Sequence, residues 1–253
     1  MLEPDVLTAQ DLVKHFDGIT AVAGVSFSVG AGEVVGLLGP NGAGKTTTLR
    51  MLAGILTPSG GRVLVNGTDL HQQTLAAKQR IGFLSGDTQL YQRLSPREVL
   101  RYFGRLYGIP AAELEPRIDR QIEELEMAGF ADRPCRTLSS GQKQRANIAR
   151  AFLHEPDVLI LDEPTAALDI VSGEFIVEAI RRKRAAGCAV LFSTHIMGEA
   201  ERLCDRILFL NAGRITDHGR LEELLGRTGC ANLTDAFMFR LRNSAAPALP
   251  AAS

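Results

Sequence analysis

The chain has 253 residues, 45% of them hydrophobic and 23% charged, which suits a water-exposed globular protein of one large domain, or a core with a small inserted lobe. A formal net charge of −1 gives no electrostatic case for nucleic acid or anionic lipid as a general partner. Its four cysteines, Cys135, Cys188, Cys204 and Cys230, form no CxxC pair and lie at no metal-ligand spacing, so they read as scattered reduced thiols rather than a disulfide framework.

The opening MLEPDVL has no basic stretch followed by an apolar run, and reads as lacking a signal peptide. No apolar stretch approaches the roughly 20 residues that span a bilayer. The Val6–Val29 region reads as an antiparallel strand pair. Apolar runs at Val34–Leu38, Arg62–Val65, Ile81–Leu84, Val158–Leu161, Ala189–Phe192 and Ile207–Leu210 then alternate with helical patterns. The helices are predicted to begin near Gly44, Pro96, Glu113, Ser140, Val171, Met197 and Arg220. That alternation predicts an α/β fold with a mainly parallel sheet.

Between about Asp87 and Leu138 no strand is evident. Ser95-Pro96-Arg97-Glu98 has capping-box spacing with proline at the first helical position, and Val99, Leu100, Phe103 and Leu106 follow at helical spacing. This predicts a helical lobe inserted between strands. Arg97, Arg101 and Arg105 recur every four residues on its first helix, a basic stripe that reads either as a solvated surface face or as a dock for an acidic loop of a partner. The end, from Asn243 in NSAAPALPAAS, reads as a disordered tail.

The segment Gly39-Pro40-Asn41-Gly42-Ala43-Gly44-Lys45-Thr46, followed by Thr47, satisfies G-x-x-x-x-G-K-[ST] between a strand and a helix. Glycines let successive N–H groups converge on phosphate oxygens, and the helix N-terminus adds positive potential. Lys45 is placed to reach the β/γ-phosphates of a nucleoside triphosphate, and the Thr46 hydroxyl to ligate Mg2+. Downstream, Val158–Leu161 ends in Asp162-Glu163. Period-2 alternation predicts that the two carboxylates point apart, Asp162 to the Mg2+ shell and Glu163 to the attacking water. Leu138-Ser139-Ser140-Gly141-Gln142 opens a helix; taken alone its serine and glycine suit an ordinary N-cap, and alternatively an anion site made from hydroxyl, backbone N–H and helix dipole, the reading that its place some twenty residues before the acid pair supports.

With these motifs in this order, residues 5–225 resemble the ATP-binding cassette family. The resemblance implies ATP with Mg2+, a RecA-like P-loop ATPase core with an antiparallel β lobe and an inserted helical lobe, and head-to-tail closure of two ATPase subunits, a homodimer or pseudo-dimer. It divides the chain into an ATPase domain over 1–225 with the helical lobe at about 87–140, a C-terminal extension over 226–242, and the tail. In that family the pentapeptide Leu138–Gln142 reads LSGGQ and presses on the γ-phosphate held by the other subunit, which implicates Ser139, Gly141 and Gln142; Ser140 stands where the first glycine is usual. Ala167-Leu168-Asp169 is similar to the family's aspartate loop at the dimer seam, His195 to its γ-phosphate-sensing histidine, and Phe16 to its adenine-stacking aromatic. The catalytic set implied is Glu163, His195 and Lys45. A glutamine is usual where Gly86 stands; Asp87, Gln89 or water could fill its place, with Asp87 favoured as a metal ligand.

The stretches Ile81–Leu106 and Leu233–Phe237 resemble cassettes that serve exporters of drugs, sodium ions, polysaccharides or haem. The expectation is an ATPase at the cytoplasmic face of the plasma membrane, powering export through a separate polytopic permease, with no nucleic-acid partner. The alternative is a soluble cassette acting on a protein scaffold, as in iron–sulphur cluster assembly.

Overall fold

The computed structural model describes residues 5–72, 74–166 and 168–243. The expected disordered tail beyond Asn243 and the first residue of the expected aspartate loop, Ala167, lie outside them.

The central layer is a six-stranded sheet. Its strands are β3 (Val34–Leu38), β6 (Ile81–Leu84), β7 (Val158–Asp162), β8 (Ala189–Thr194), β9 (Arg206–Asn211) and β10 (Arg214–Gly219), in the order β10-β9-β3-β8-β7-β6. All neighbours pair in parallel except β10, which returns antiparallel to β9 through a tight turn. The expected strands are all present. The added edge strand β10 was not anticipated, because RITDHG alternates buried and exposed positions without a strong apolar run.

Continuous apolar runs form the inner strands because both sheet faces are covered. Leu159, Leu161, Val190 and Phe192 face one core, built with the helical lobe, while Val158, Ile160 and Leu191 face a second one. The second core joins helix α1 (Lys45–Leu52) to an antiparallel sheet of β1 (Asp5–Phe16), β2 (Ile19–Gly30), β4 (Gly60–Val65) and β5 (Thr68–Asp69), in the order β2-β1-β4-β5. The strand pair read from Val6–Val29 is β1 and β2. A short helix, α2 (Thr74–Lys78), follows β5.

The helical region contains α3 (Pro96–Leu106), α4 (Ala111–Glu124) and a single turn at Cys135–Thr137, which leads into α5 (Ser140–Phe152). The capping box forms as expected: the Ser95 hydroxyl accepts from the Glu98 N–H at 3.3 Å, and the Ser95 N–H donates to Glu98 Oε2 at 2.8 Å. The basic stripe meets a different fate from the one its spacing suggested. Arg97 pairs with Asp119 and Asp132, and Arg101 makes a two-pronged pair with Glu115. These arginines pin α3 to α4, so two of the three charges are satisfied inside the chain.

Helices α6 (Ile170–Ala185), α7 (Met197–Leu203), α8 (Leu221–Thr228) and α9 (Leu233–Asn243) complete the chain. The C-terminal residues do more than trail from the core. Leu233 and Phe237 of α9 pack with Leu38, Phe209 and Leu224 in a third apolar cluster, and Phe237 meets Phe209 edge to face at 5.2 Å. This cluster lies under the end of β3, where the phosphate loop begins.

Candidate functional site

Strand β3 ends at Leu38, and the chain turns through Gly39–Gly44 into α1. Gly44 has φ of +103°, and a Cβ there would lie 2.5 Å from the carbonyl oxygen of Ala21. The loop is thus pressed against β2 while adopting a backbone that only glycine reaches cheaply. Two further bonds fix the contact, with Ala23 N–H donating to the Gly213 carbonyl and Gly213 N–H to the Ala43 carbonyl.

The Lys45 side chain is buried, and its ammonium donates to the carbonyls of Gly39 at 2.7 Å and Pro40 at 3.1 Å. Burial lowers its pKa below the ordinary value, opposed by the negative charges of Glu163 and Asp162. A cation held in a loop by two neutral carbonyls is poised to exchange them for anionic phosphate oxygens.

At the far end of β7 the two acids have different surroundings, although both line one cavity. Asp162 is buried and accepts from the Ser193 hydroxyl at 2.6 Å, across the parallel pairing with β8. Glu163 lies past the strand in the left-handed region, with φ of +48°. Such a conformation costs a non-glycine residue on the order of 1–3 kcal/mol and persists when its surroundings over-determine it. Here the Glu163 N–H donates to both the Ser193 carbonyl and the Ser193 hydroxyl. In this left-handed conformation the Glu163 carboxylate lies 3.3 Å from His195 Nδ1. His195 follows β8, with its side chain 59% exposed.

Thr46, Gly86, Asp87, Gln144, Asp162, Glu163 and Ala166 line one cavity of about 290 Å³. Thr46 and Asp162 are among the oxygen-bearing residues of this lining. Asp87 stands at the rim, 86% exposed, with its carboxylate 2.9 Å from Arg50 of α1. Gln89 is exposed and does not line the cavity. Gln144 was not singled out from the sequence. It lies one helical turn beyond Gly141 on α5, and its Nε2 donates to the Pro164 carbonyl at 2.6 Å. Its i+3 relation to a motif glycine was the available signal. Ser193, unremarkable beside the histidine, proves to be the link between Asp162 and the Glu163 backbone.

The pentapeptide lies elsewhere. Ser139 and Gln142 cap α5 reciprocally, the Ser139 hydroxyl accepting from the Gln142 N–H at 3.2 Å and the Gln142 Oε1 from the Ser139 N–H at 3.1 Å. The hydroxyl proton of Ser139 remains free to donate outward. Gly141 is buried against α6, where a Cβ would lie 2.7 Å from Ser172 Oγ. Ser140 is exposed, so its side chain crowds nothing in the chain. Ser139, Gly141 and Gln142 line a separate cavity of about 300 Å³ with Glu126, Arg145 and Ser172. Asp169 caps α6 and accepts from the Ser172 N–H and hydroxyl, and these bonds hold its carboxyl below the usual range. Ile170 and Val171 beside it are almost fully exposed.

Phe16, 43% exposed, ends β1 with Lys14 Nζ 5.1 Å from its ring. It pairs with Ile19, two residues before the Ala21 that abuts Gly44, so the aromatic stands on the turn next to the phosphate loop.

A glycine-rich loop between a parallel strand and a helix, a buried lysine within it, and an acid-tipped parallel strand of the same sheet define a P-loop nucleoside triphosphatase. The comparisons narrow the class. The family model described as ABC transporter matches residues 22–166, more than half of the chain. The chain is 40% identical over 241 residues to the ABC transporter ATP-binding protein NatA of Bacillus subtilis, covering 93% of this chain and 98% of that one. It is 40% identical to a Nod factor export ATP-binding protein I of Ralstonia nicotianae, covering 87% and 68%, and 35% identical to the linearmycin resistance ATP-binding protein LnrL of Bacillus subtilis, covering 95% and 80%. A solved ATP-binding subunit of an ABC transporter superposes with a TM-score of 0.86 at 31% identity, covering 93% and 99%. The dimeric cassette MJ0796, in a post-hydrolysis state with ADP and Pi, does so at 0.76 and 25%, covering 85% and 98%. This chain belongs to the ABC transporter family, as an ATP-binding, ATP-hydrolysing subunit.

The lowered pKa of Lys45 has a measurable consequence. Triphosphate binding favours the charged ammonium, so ATP affinity is flat while free Lys45 is fully protonated and falls as pH rises through its lowered pKa. Calorimetric titration on the alkaline side of neutrality should show this decline setting in below the ordinary lysine range. Lys45→Arg should bind more weakly but without the alkaline decline, since its guanidinium keeps its charge. A parent affinity independent of pH over that range would contradict the account.

Proposed function

We propose that this chain powers export through a separate polytopic membrane permease, working at the cytoplasmic face of the membrane as one half of a closing ATPase dimer. The observation that carries the reading is the convergence of Lys45, Thr46, Asp162, Glu163 and His195 around the mouth of one phosphate loop. The relatives named above add the direction of transport, two of them being named for export or resistance. A scaffold role, as in iron–sulphur cluster assembly, is not favoured by them. Among the described residues no helix is long and apolar enough to cross a membrane. That fits a subunit held at the bilayer by its partner.

In this reading Gly39–Gly44 and the first amides of α1, including those of Thr46 and Thr47, cradle the β- and γ-phosphates. Lys45 releases its two carbonyls to bind them, and Phe16 stacks on adenine. Thr46 and Asp162 are hard oxygen donors lining the same cavity, a set that suits Mg2+, which is commonly held by one or two protein oxygens with the remainder from phosphates and water. Bound there, Mg2+ would neutralise charge on the phosphates. Glu163 orients the attacking water, and His195 contacts the γ-phosphate while holding the Glu163 carboxylate in place. Phosphoryl transfer needs little covalent chemistry from the protein, so positioning and charge carry the rate. Ser139, Gly141 and Gln142 act on the γ-phosphate bound by the other subunit, with Asp169 at the seam. The catalytic domain then ends near residue 225, with the lobe at about 87–140 as the part that transmits closure.

Three experiments test this. Glu163→Gln keeps shape but removes the carboxylate, and should cut ATP turnover by about a hundredfold or more while ATP binding persists; near-normal turnover would remove Glu163 from its role. Ser139→Arg places bulk at the α5 N-terminus and should leave nucleotide binding by the isolated chain intact while abolishing ATP-dependent dimers on size-exclusion chromatography. Dimers of ordinary stability would refute the cross-subunit role. Asp87 would join the metal from the rim by leaving Arg50. Asp87→Ala should then raise the Mg2+ concentration for half-maximal hydrolysis roughly tenfold, the scale of a supporting ligand, whereas Gln89→Ala should not. An unchanged requirement in the Asp87 variant assigns the place beside Gly86 to water.

A further inference from the structure

The segment that carries Glu163 is short and turns sharply. Its N–H groups are satisfied in sequence, Ala166 N–H donating to the Glu163 carbonyl and Leu168 N–H to the Thr165 carbonyl. The segment that carries His195 is as abrupt: β8 ends at Thr194, and α7 begins at Met197. Leu168 at the far end of the first turn packs on the core shared with the helical lobe, and Met197 after the second packs on the third apolar cluster, so each turn is anchored to a different cluster. A 3.3 Å contact between Glu163 and His195 nevertheless requires the two turns to keep a common register.

One buried carboxylate joins them. Glu199, in the first turn of α7, is 9% exposed. Its Oε2 accepts from the Thr165 hydroxyl at 2.8 Å and from the Thr194 hydroxyl at 3.1 Å. Thr165 lies two residues after Glu163, and Thr194 immediately precedes His195. Thr165 and Thr194 are themselves buried, so neither hydroxyl has water as a ready alternative. The Thr194 oxygen also accepts from the Ile196 N–H at 3.0 Å, which directs its single proton toward Glu199. Among the described residues no ion pair to Glu199 forms. A buried acid without a cation is costly unless its oxygens are hydrogen-bonded, and both of these bonds run to the turns that hold the reacting groups.

We propose that Glu199 is a positioning residue for ATP hydrolysis: its carboxylate clamps the Glu163 turn to the His195 turn and so sets the distance between the water-orienting acid and the γ-phosphate contact. The inference rests on the roles given above to Glu163 and His195. Glu199 acts through Thr165 and Thr194, and, because Thr165 also begins the turn toward Asp169, it ties the dimer seam to the same register. On the opposite side the Pro164 carbonyl is held by Gln144 of α5. The turn is therefore gripped by α7 from one side and by α5 from the other.

Both bonds end on a single oxygen, so a carboxamide can replace the carboxylate as acceptor. Steady-state hydrolysis by the full-length chain at varied ATP should show Glu199→Ala losing roughly ten- to hundredfold in kcat, the scale of a misplaced reacting group, with KM for ATP within about twofold of the parent. Glu199→Gln should retain most of the activity. In a His195→Ala background, Glu199→Ala should cost little more, because the register it sets no longer serves a partner. Thr165→Val, which keeps shape but removes one donor, should reproduce a part of the kcat loss and stands in if Glu199→Ala does not fold. A folded Glu199→Ala protein with parental kcat would overturn the proposal, as would Glu199→Gln falling as far as Glu199→Ala, or full additivity with His195→Ala. Parental hydrolysis that is lost in Glu163→Gln upholds the nucleotide-site reading whichever way the Glu199 variants behave.

Discussion

The structure is organised around one buried positive charge. The Lys45 ammonium is withdrawn from water at the root of a glycine loop, and burial alone disfavours it. It is kept there by two carbonyls of its own loop and by the field of Asp162 and Glu163 on a strand two positions away in the sheet. Parallel pairing of β3 to β8 and β8 to β7 is what brings the loop and the acids to the same edge, since all three strands end on that side. The covered sheet, the contact of the loop with β2 and the third apolar cluster beneath Leu38 all stiffen that edge. A flexible edge would let the ammonium collapse onto a carboxylate, and the site would be neutralised before a triphosphate arrived.

The same charge balance explains why the two acids cannot be equivalent. Asp162 is enclosed and its oxygen is engaged by Ser193, so it is fixed as a ligand-like donor. Glu163, partly open to solvent and next to His195, has the freedom to meet a water. Ser193 serves both, giving its hydroxyl proton to Asp162 while its two oxygens hold the Glu163 N–H. A strained left-handed residue at this point is sustained by those two bonds, an example of local cost concentrated where geometry must be exact to fractions of an ångström.

Much of this was legible in the residues. The glycine loop, the acid-tipped strand and the alternation of apolar runs each specify a local geometry with few alternatives, and strands buried on both faces announce themselves as unbroken hydrophobic runs. The capping box at Ser95 is legible for the same reason, a fixed spacing tied to one hydrogen-bond pattern. What escaped was set by tertiary contact. Whether Arg97 and Arg101 face a partner or the next helix depends on where Asp119, Asp132 and Glu115 lie, which helical spacing within α3 cannot say. Gln144 and Glu199 acquire meaning only when Pro164, Thr165 and Thr194 are brought beside them. The left-handed turn at Glu163 was hidden because glutamate is not a residue that signals positive φ. Edge strand β10 and helix α9 were obscured by weak apolar patterning, α9 earning its place by two residues, Leu233 and Phe237.

The arrangement of the two cavities bears on why such a chain works in pairs. The one beside the phosphate loop is lined by Thr46, Gly86, Asp87, Gln144, Asp162, Glu163 and Ala166; the one beside the α5 N-terminus by a set with no member in common. Ser139 has a hydroxyl proton to give and Gly141 a backbone packed so tightly on Ser172 that it cannot retreat, yet neither lines the cavity beside Lys45. The connection between them runs through α5 itself: its first residues form the second cavity, while Gln144, one turn on, reaches the turn bearing Glu163. A phosphate pressed on Ser139 by a second molecule would therefore load the same helix that grips the neighbouring catalytic turn. That helix also packs within the helical lobe, so in the proposed dimer a load on its first turn would reach both the lobe and the turn bearing Glu163.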